Sequence, residues 1–144
     1  MGLIDKDLQS IQEVRNLIHE AKKAQKTLAG LSQQQIDRIC QAISEETYNQ
    51  REKLAKMANQ ETGFGIWQDK VIKNSFASKT VYEYIKDLRT VGVIKEDVEN
   101  RITEIAVPVG VIAGLIPSTN PTSTVIYKAL IALKAANSII FSPH

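Results

Sequence analysis

Residues 107–144 read VPVGVIAGLIPSTNPTSTVIYKALIALKAANSIIFSPH, and this stretch decides the fold. Val109 to Ile116 is nearly all apolar, the pattern of a strand covered on both faces. Pro117-Ser118-Thr119-Asn120-Pro121-Thr122 then breaks the strand. Pro121 suits the first helical position, where its missing amide hydrogen costs nothing. From Val125 to Ala136 the chain is apolar almost all round, with Ile126, Ala129, Leu130 and Leu133 as the main stripe, so this helix should be buried. Lys128 and Lys134 should mark its less buried side. Asn137 and Ser138 turn the chain, and Ile139-Ile140-Phe141 opens a second strand. Together these pieces make one βαβ unit. In open α/β sheets, ligands bind beyond the carboxyl ends of strands, at such turns. The sequence stops just as a nucleotide-binding sheet would begin, so it reads as the front part of a larger unit.

Upstream, the pattern is helical. Ser10-Ile11-Gln12-Glu13 has the form of a capping box, and Ile11, Val14 and Ile18 follow on one face. Lys22, Lys23 and Lys26 suit a helix carboxyl end, and Gly30 a left-handed stop. A second box, Ser32 to Gln35, precedes the apolar stripe Ile36, Ile39, Cys40 and Ile43. A third helix is expected from about Asn49 to Gly63, burying Leu54, Met57 and Ala58. Gly63-Phe64-Gly65 forms a hinge or turn, with Trp67 anchoring the loop beyond it. A fourth helix should run from about Asp69 to Leu88, with Ile72, Phe76, Val81, Ile85 and Leu88 inward. Arg101 to Val107 alternates polar and apolar residues, the period of a half-buried strand. Pro108 allows an edge or a bend there. The expected division is 1–98 helical, 99–108 a strand excursion, and 109–144 the start of a nucleotide-binding domain.

Bulk properties narrow the function. With 144 residues, 43% hydrophobic and 24% charged, the chain can bury a real core. Eighteen basic and sixteen acidic residues interleave to a net charge of +2, which leaves no footprint for nucleic acid and no polybasic membrane anchor. The one cysteine, Cys40, can form no intrachain disulfide. The amino terminus lacks the pattern of a secretory signal, and Lys6 stands where a myristoylation motif wants Ser or Thr. No stretch approaches the roughly 18 consecutive apolar residues of a membrane span. The expected setting is cytoplasmic and soluble.

Several strings, in order and at consistent separations, carry a resemblance. They are Pro108-Val109-Gly110-Val111-Ile112, Pro117-Ser118-Thr119-Asn120-Pro121-Thr122-Ser123-Thr124 and Ile139-Ile140-Phe141-Ser142-Pro143-His144. Upstream, Glu61-Thr62-Gly63-Phe64-Gly65 and Asp69-Lys70-Val71-Ile72-Lys73-Asn74 join them. From about Leu8 onward the chain resembles the aldehyde dehydrogenase superfamily, and more narrowly its coenzyme A-acylating branch. That branch includes the aldehyde dehydrogenase half of bifunctional aldehyde-alcohol dehydrogenases. The resemblance implies an α/β fold: a helical amino-terminal part, a strand excursion towards an oligomerisation region, and the first βαβ of an open parallel Rossmann-like sheet. It also implies chemistry. A cysteine thiolate attacks an aldehyde, hydride passes to NAD (with NADP left open), and the thioester is transferred to coenzyme A. The family's nucleophile lies beyond position 144, so this segment alone should be inactive. A homo-oligomer is implied; nucleic acid and membrane partners are not.

The same resemblance assigns Asn120 the side-chain amide that stabilises the oxyanion of the thiohemiacetal. A fixed donor at a helix start, aided by free backbone amides, suits negative charge developing on oxygen. From spacing alone, an asparagine before a proline reads first as a helix N-cap, and it is the resemblance that favours the oxyanion role. Ile116, Pro117, Ser118 and Thr119 would line the cofactor cleft, although no G-x-G-x-x-G supports that assignment. Ser142, Pro143 and His144 follow the second strand, where many non-acylating relatives carry a ribose-binding lysine. Cys40 sits in an apolar stripe and reads as a core residue, since a reactive thiol needs an electropositive, partly exposed setting. His19 has no second ligand at suitable spacing, so no metal site is expected. Two other readings stay open: a non-catalytic helical assembly module, and a non-acylating aldehyde dehydrogenase that hydrolyses its thioester.

Overall fold

The computed structural model describes residues 5–143. The amino-terminal signal and lipidation readings fall largely on residues outside that range, and His144 lies outside it too. The element order is α1 (Lys6–Ala29), α2 (Gln33–Asn49), α3 (Arg51–Thr62), α4 (Trp67–Ser75), a π-helical turn (Phe76–Thr80), α5 (Val81–Ile85), β1 (Gly92–Asp97), β2 (Ile102–Ala106), β3 (Val111–Ile116), α6 (Pro121–Lys134) and β4 (Ser138–Pro143). No helix among the described residues is long and apolar enough to cross a membrane.

β3 and β4 pair in parallel, from Val111 opposite Ser138 to Ile116 opposite Pro143, and α6 makes the crossover. This is the expected βαβ unit. Gly114 is where side chains of the neighbouring strand close over the backbone: a Cβ there would meet Ile139 Cδ1 at 2.9 Å and Phe141 Cδ1 at 3.1 Å. Only one face of β3 is covered, however. Ile116 is buried while Leu115 is 69% exposed, which corrects the reading of a strand buried on both sides. β1 and β2 form a separate antiparallel hairpin. β1 falls inside the stretch assigned to helices, and its mixed composition, Gly-Val-Ile-Lys-Glu-Asp, has no clean alternation to reveal it. The strand expected near 101–107 is β2, but Ile102 and Ile105 are exposed rather than half-buried.

α6 is the hub of the core. Ile126 and Leu130 pack with Ile36 and Cys40 of α2, with Ala77 in the π turn, with Val81 and Ile85 of α5, and with Ala136 beyond α6. Ser32 and Gln35 make both bonds of the expected capping box. Gly63 ends α3 in the left-handed conformation at φ 68°, which a glycine adopts without steric cost. Trp67, expected in the loop before the fourth helix, is instead the first residue of α4, with Lys56 Nζ 4.6 Å from its ring centroid.

Several helical expectations are corrected. α1 starts at Lys6, capped by the Asp5 carboxylate on the Asp7 and Leu8 amides, so Ser10 lies inside the helix. Its apolar face is not buried here, and Gly30 is right-handed at φ −86°. In α3, Ala55 is buried and Met57 exposed. Along α4, the π turn and α5, the inward stripe is Lys70, Asn74, Ala77, Ser78, Val81 and Ile85. Ile72, Phe76 and Leu88 are exposed. Polar residues hold the inward phase because they bond to neighbouring segments, and hydrophobicity alone does not reveal that.

Lys134 is also a correction. It is buried at 3% exposure, and Nζ donates to Asp37 Oδ1 at 2.6 Å and to the Lys86 carbonyl at 2.7 Å. Lys134→Ala removes both bonds and the packed stem, so it is expected to lower unfolding free energy by about 2 to 4 kcal/mol. Urea titration checks this; a midpoint equal to wild type would contradict it. Cys40 is 1% exposed, and burial pushes its thiol up to about 11, against a smaller lowering by Lys134. At pH 8 the native chain is therefore expected to resist an aromatic disulfide reagent and to react once unfolded. Rapid stoichiometric labelling of the native state would contradict that.

Candidate active site

The bend after β3 is held from outside. Lys70, Lys73 and Asn74 sit at i, i+3 and i+4 on α4 and so share one side of that helix. Lys70, 5% exposed, donates through Nζ to the Thr119 carbonyl at 2.7 Å. Asn74, fully buried, accepts from Thr122 Oγ1 at 2.9 Å and donates to the Arg51 carbonyl at 3.0 Å. Lys73 donates to Asn120 Oδ1 at 2.8 Å. On the strand side, Lys128 reaches back from α6 to the Leu115 carbonyl at 2.6 Å. Two helices thus fix both ends of a segment that has no ladder of its own.

Asn120 stands immediately before α6, with Pro121 in the first turn as expected. Its side chain makes no capping hydrogen bond, so the cap reading is corrected. The Asn120 carbonyl accepts the first helical bond, from the Thr124 amide at 3.2 Å, and a second from the Thr124 hydroxyl at 2.6 Å. The Asn120 side chain instead borders an open cleft of about 500 Å³ with Ile72, Lys73, Phe76, Ala77, Ser123, Thr124 and Tyr127. Ile72, Phe76 and Tyr127 are 68%, 59% and 43% exposed, so they line a cleft and not the core. A smaller hollow of about 200 Å³, bordered by Phe64, Ile66 and Asp69, lies across Lys73 and Asn120.

The first turn of a helix leaves its amides without intrahelical partners. Pro121 has none to offer, so those of Thr122 and Ser123 remain, beside the cations of Lys70 and Lys73. The bend thus brings two lysines and one carboxylate, Asp69, to the edge of an apolar cleft, with the Asn120 carboxamide at their junction. Such an arrangement can hold a small carbonyl compound and stabilise negative charge on its oxygen.

The other sequence candidates lie along the carboxyl ends of the parallel strands. Leu115 pairs with Ser142 and Ile116 with Pro143, which brings Pro117 and Ser118 beside the end of β4. Pro117, Thr119, Ser142 and Pro143 are exposed, Ser118 is half-buried, and Ile116 is buried beneath them. His144 is outside the described residues. Among those residues, no group of three or more His, Cys, Asp or Glu could hold a metal ion.

Sequence reasoning quoted Lys70, Lys73 and Asn74 only within a family-like string and gave them no role, passed over Tyr127, and put Ile72 and Phe76 in the core. The available signal was Lys70 and Asn74 at i and i+4, two polar residues in phase with Ala77 and Val81.

The Aldehyde dehydrogenase family model matches residues 6–144. The chain is 48% identical over 135 residues to the bifunctional aldehyde-alcohol dehydrogenase AdhE of Escherichia coli (strain K12), covering 94% of this chain and 15% of that protein. Among solved structures, it superimposes on a probable aldehyde dehydrogenase from Listeria monocytogenes EGD-e with TM-score 0.94 and 72% identity, over 97% of this chain and 31% of that one. An acetylating aldehyde dehydrogenase from Geobacillus thermoglucosidasius matches with TM-score 0.95 and 58% identity, over 99% and 31%. A Rhodopseudomonas palustris propionaldehyde dehydrogenase, solved with bound propionyl-CoA, matches at TM-score 0.69 and 31% identity, over 88% and 28%. The chain thus spans under a third of each of these relatives. Motif order, fold and the parallel βαβ unit agree: the chain belongs to the aldehyde dehydrogenase family.

Proposed function

We propose that this chain works within a longer polypeptide as the oxyanion side of an acylating aldehyde dehydrogenase. That enzyme would oxidise a short-chain aldehyde to its acyl-CoA. The observation that carries the reading is Asn120, whose carboxamide is free of helix capping and borders an apolar cleft. The acetylating and propionyl-CoA-bound relatives support the acylating branch.

Residues of this chain have separable tasks. Ile72, Phe76 and Tyr127 exclude water from the aldehyde's carbon chain. Attack by a thiolate moves negative charge onto the carbonyl oxygen, and the Asn120 Nδ2 hydrogens stabilise it. The thiolate comes from elsewhere in the polypeptide, because Cys40 is buried and held protonated. A nicotinamide cofactor held at the strand-end rim would supply the hydride acceptor for the oxidation. The strand-end rim suits NAD: Ser118, Thr119 and Ser142 supply hydroxyls, and none of the rim positions 116–119 and 142–143 is a carboxylate that would repel a pyrophosphate. The exposed apolar residues Val98, Ile102 and Ile105 of the hairpin support contact with a second copy of the polypeptide.

In the full-length polypeptide, Asn120→Ala is expected to lower kcat by about 10² to 10³ for acetaldehyde, NAD and coenzyme A, with KM little changed. NADH absorbance checks this; a kcat within twofold of wild type would refute the oxyanion role. The chain by itself is expected to give no turnover in the same assay.

A further inference from the structure

We propose that Lys73 is a positioning residue for Asn120: its ammonium fixes the rotation of the carboxamide so that Nδ2, not Oδ1, faces the reacting oxygen. The inference rests on the oxyanion reading of Asn120.

A carboxamide has two unlike ends of nearly equal shape. Rotated one way it offers two N–H donors to an oxyanion; rotated the other way it presents a lone pair that repels one. Neither a neutral hydroxyl nor water decides between these states, because each can donate or accept. A lysine ammonium can only donate. Placed 2.8 Å from Oδ1, Lys73 Nζ therefore accepts one rotation and rejects the other. The remaining contact is compatible: Nδ2 lies 3.4 Å from Thr119 Oγ1, a long bond that leaves that end available.

The placement of Lys73 is rigid at its base. Lys70 and Asn74, on the same side of α4, are buried and tied to Thr119 and Thr122, which sets the helix phase against the bend. Among the described residues no carboxylate pairs with Lys73, so its charge is directed at the amide. A charged donor on Oδ1 also polarises the amide and strengthens its N–H groups as donors. Lys73 thus acts through Asn120 and does not itself touch the reacting atoms.

The test is a double-mutant cycle in the full-length enzyme, reading kcat and KM for acetaldehyde. Lys73→Met should lower kcat about ten- to thirtyfold with KM nearly unchanged. Lys73→Arg, which keeps a charged donor, should stay within about threefold of wild type. In an Asn120→Ala background, Lys73→Met should cost less than about twofold, since there is no amide left to orient. An equal loss in both backgrounds, or no loss in either, would overturn the positioning role. If Asn120→Ala alone is silent, the oxyanion reading fails, and that result is distinct from a failure of Lys73. Lys73→Gln, which can donate or accept and so cannot dictate rotation, carries the same cycle should the methionine variant not fold.

Discussion

Everything near the candidate site depends on how α4 grips the bend between β3 and α6. A bend leaving a parallel strand has no ladder to hold it, and Pro117 and Pro121 remove two of its amide donors. The restraint comes from Asn74, buried in α4, which meets Thr122 at the start of α6 and the Arg51 carbonyl at the start of α3. Lys70 adds a second tie to the Thr119 carbonyl. A buried polar group left without its partner costs about 1 to 3 kcal/mol, so these contacts also choose the phase of α4.

That choice of phase has a consequence for the cleft. With Lys70 and Asn74 turned inward, Ile72 and Phe76 must face out, and they meet Tyr127 across the opening. The π turn that follows adds a residue to the helical turn, and Ala77, Val81 and Ile85 still reach the core. The exposed apolar side chains of α4 are thus the cost of a polar inner face, and they supply the apolar wall beside Asn120. Stability and site geometry come from the same few residues.

Much of this was legible in the sequence. The apolar runs around the PSTNPT bend specify a strand, a buried helix and a second strand, and the parallel pairing follows. The Ser32 capping box and the Gly63 stop are local signals, and local signals survive folding. Phase was less legible where polar side chains bond across elements, as in α4 and at Lys134, because periodicity treats a polar residue as outward. β1 escaped because an exposed hairpin strand needs no alternation. Asn120 was visible as a residue type at a position, but its side-chain partner Lys73 lies 47 residues away in sequence, beyond the reach of any local pattern.

The grip of α4 on the bend is tested most directly by native-state hydrogen exchange at the Thr124 amide, which donates to the Asn120 carbonyl. Thr122→Val keeps the side-chain shape but leaves Asn74 Oδ1 without its donor. Exchange at Thr124 should then quicken by about tenfold or more, with amides in the second half of α6 changing less. Exchange at Thr124 that is the same in wild type and variant would contradict the dependence of the bend on α4.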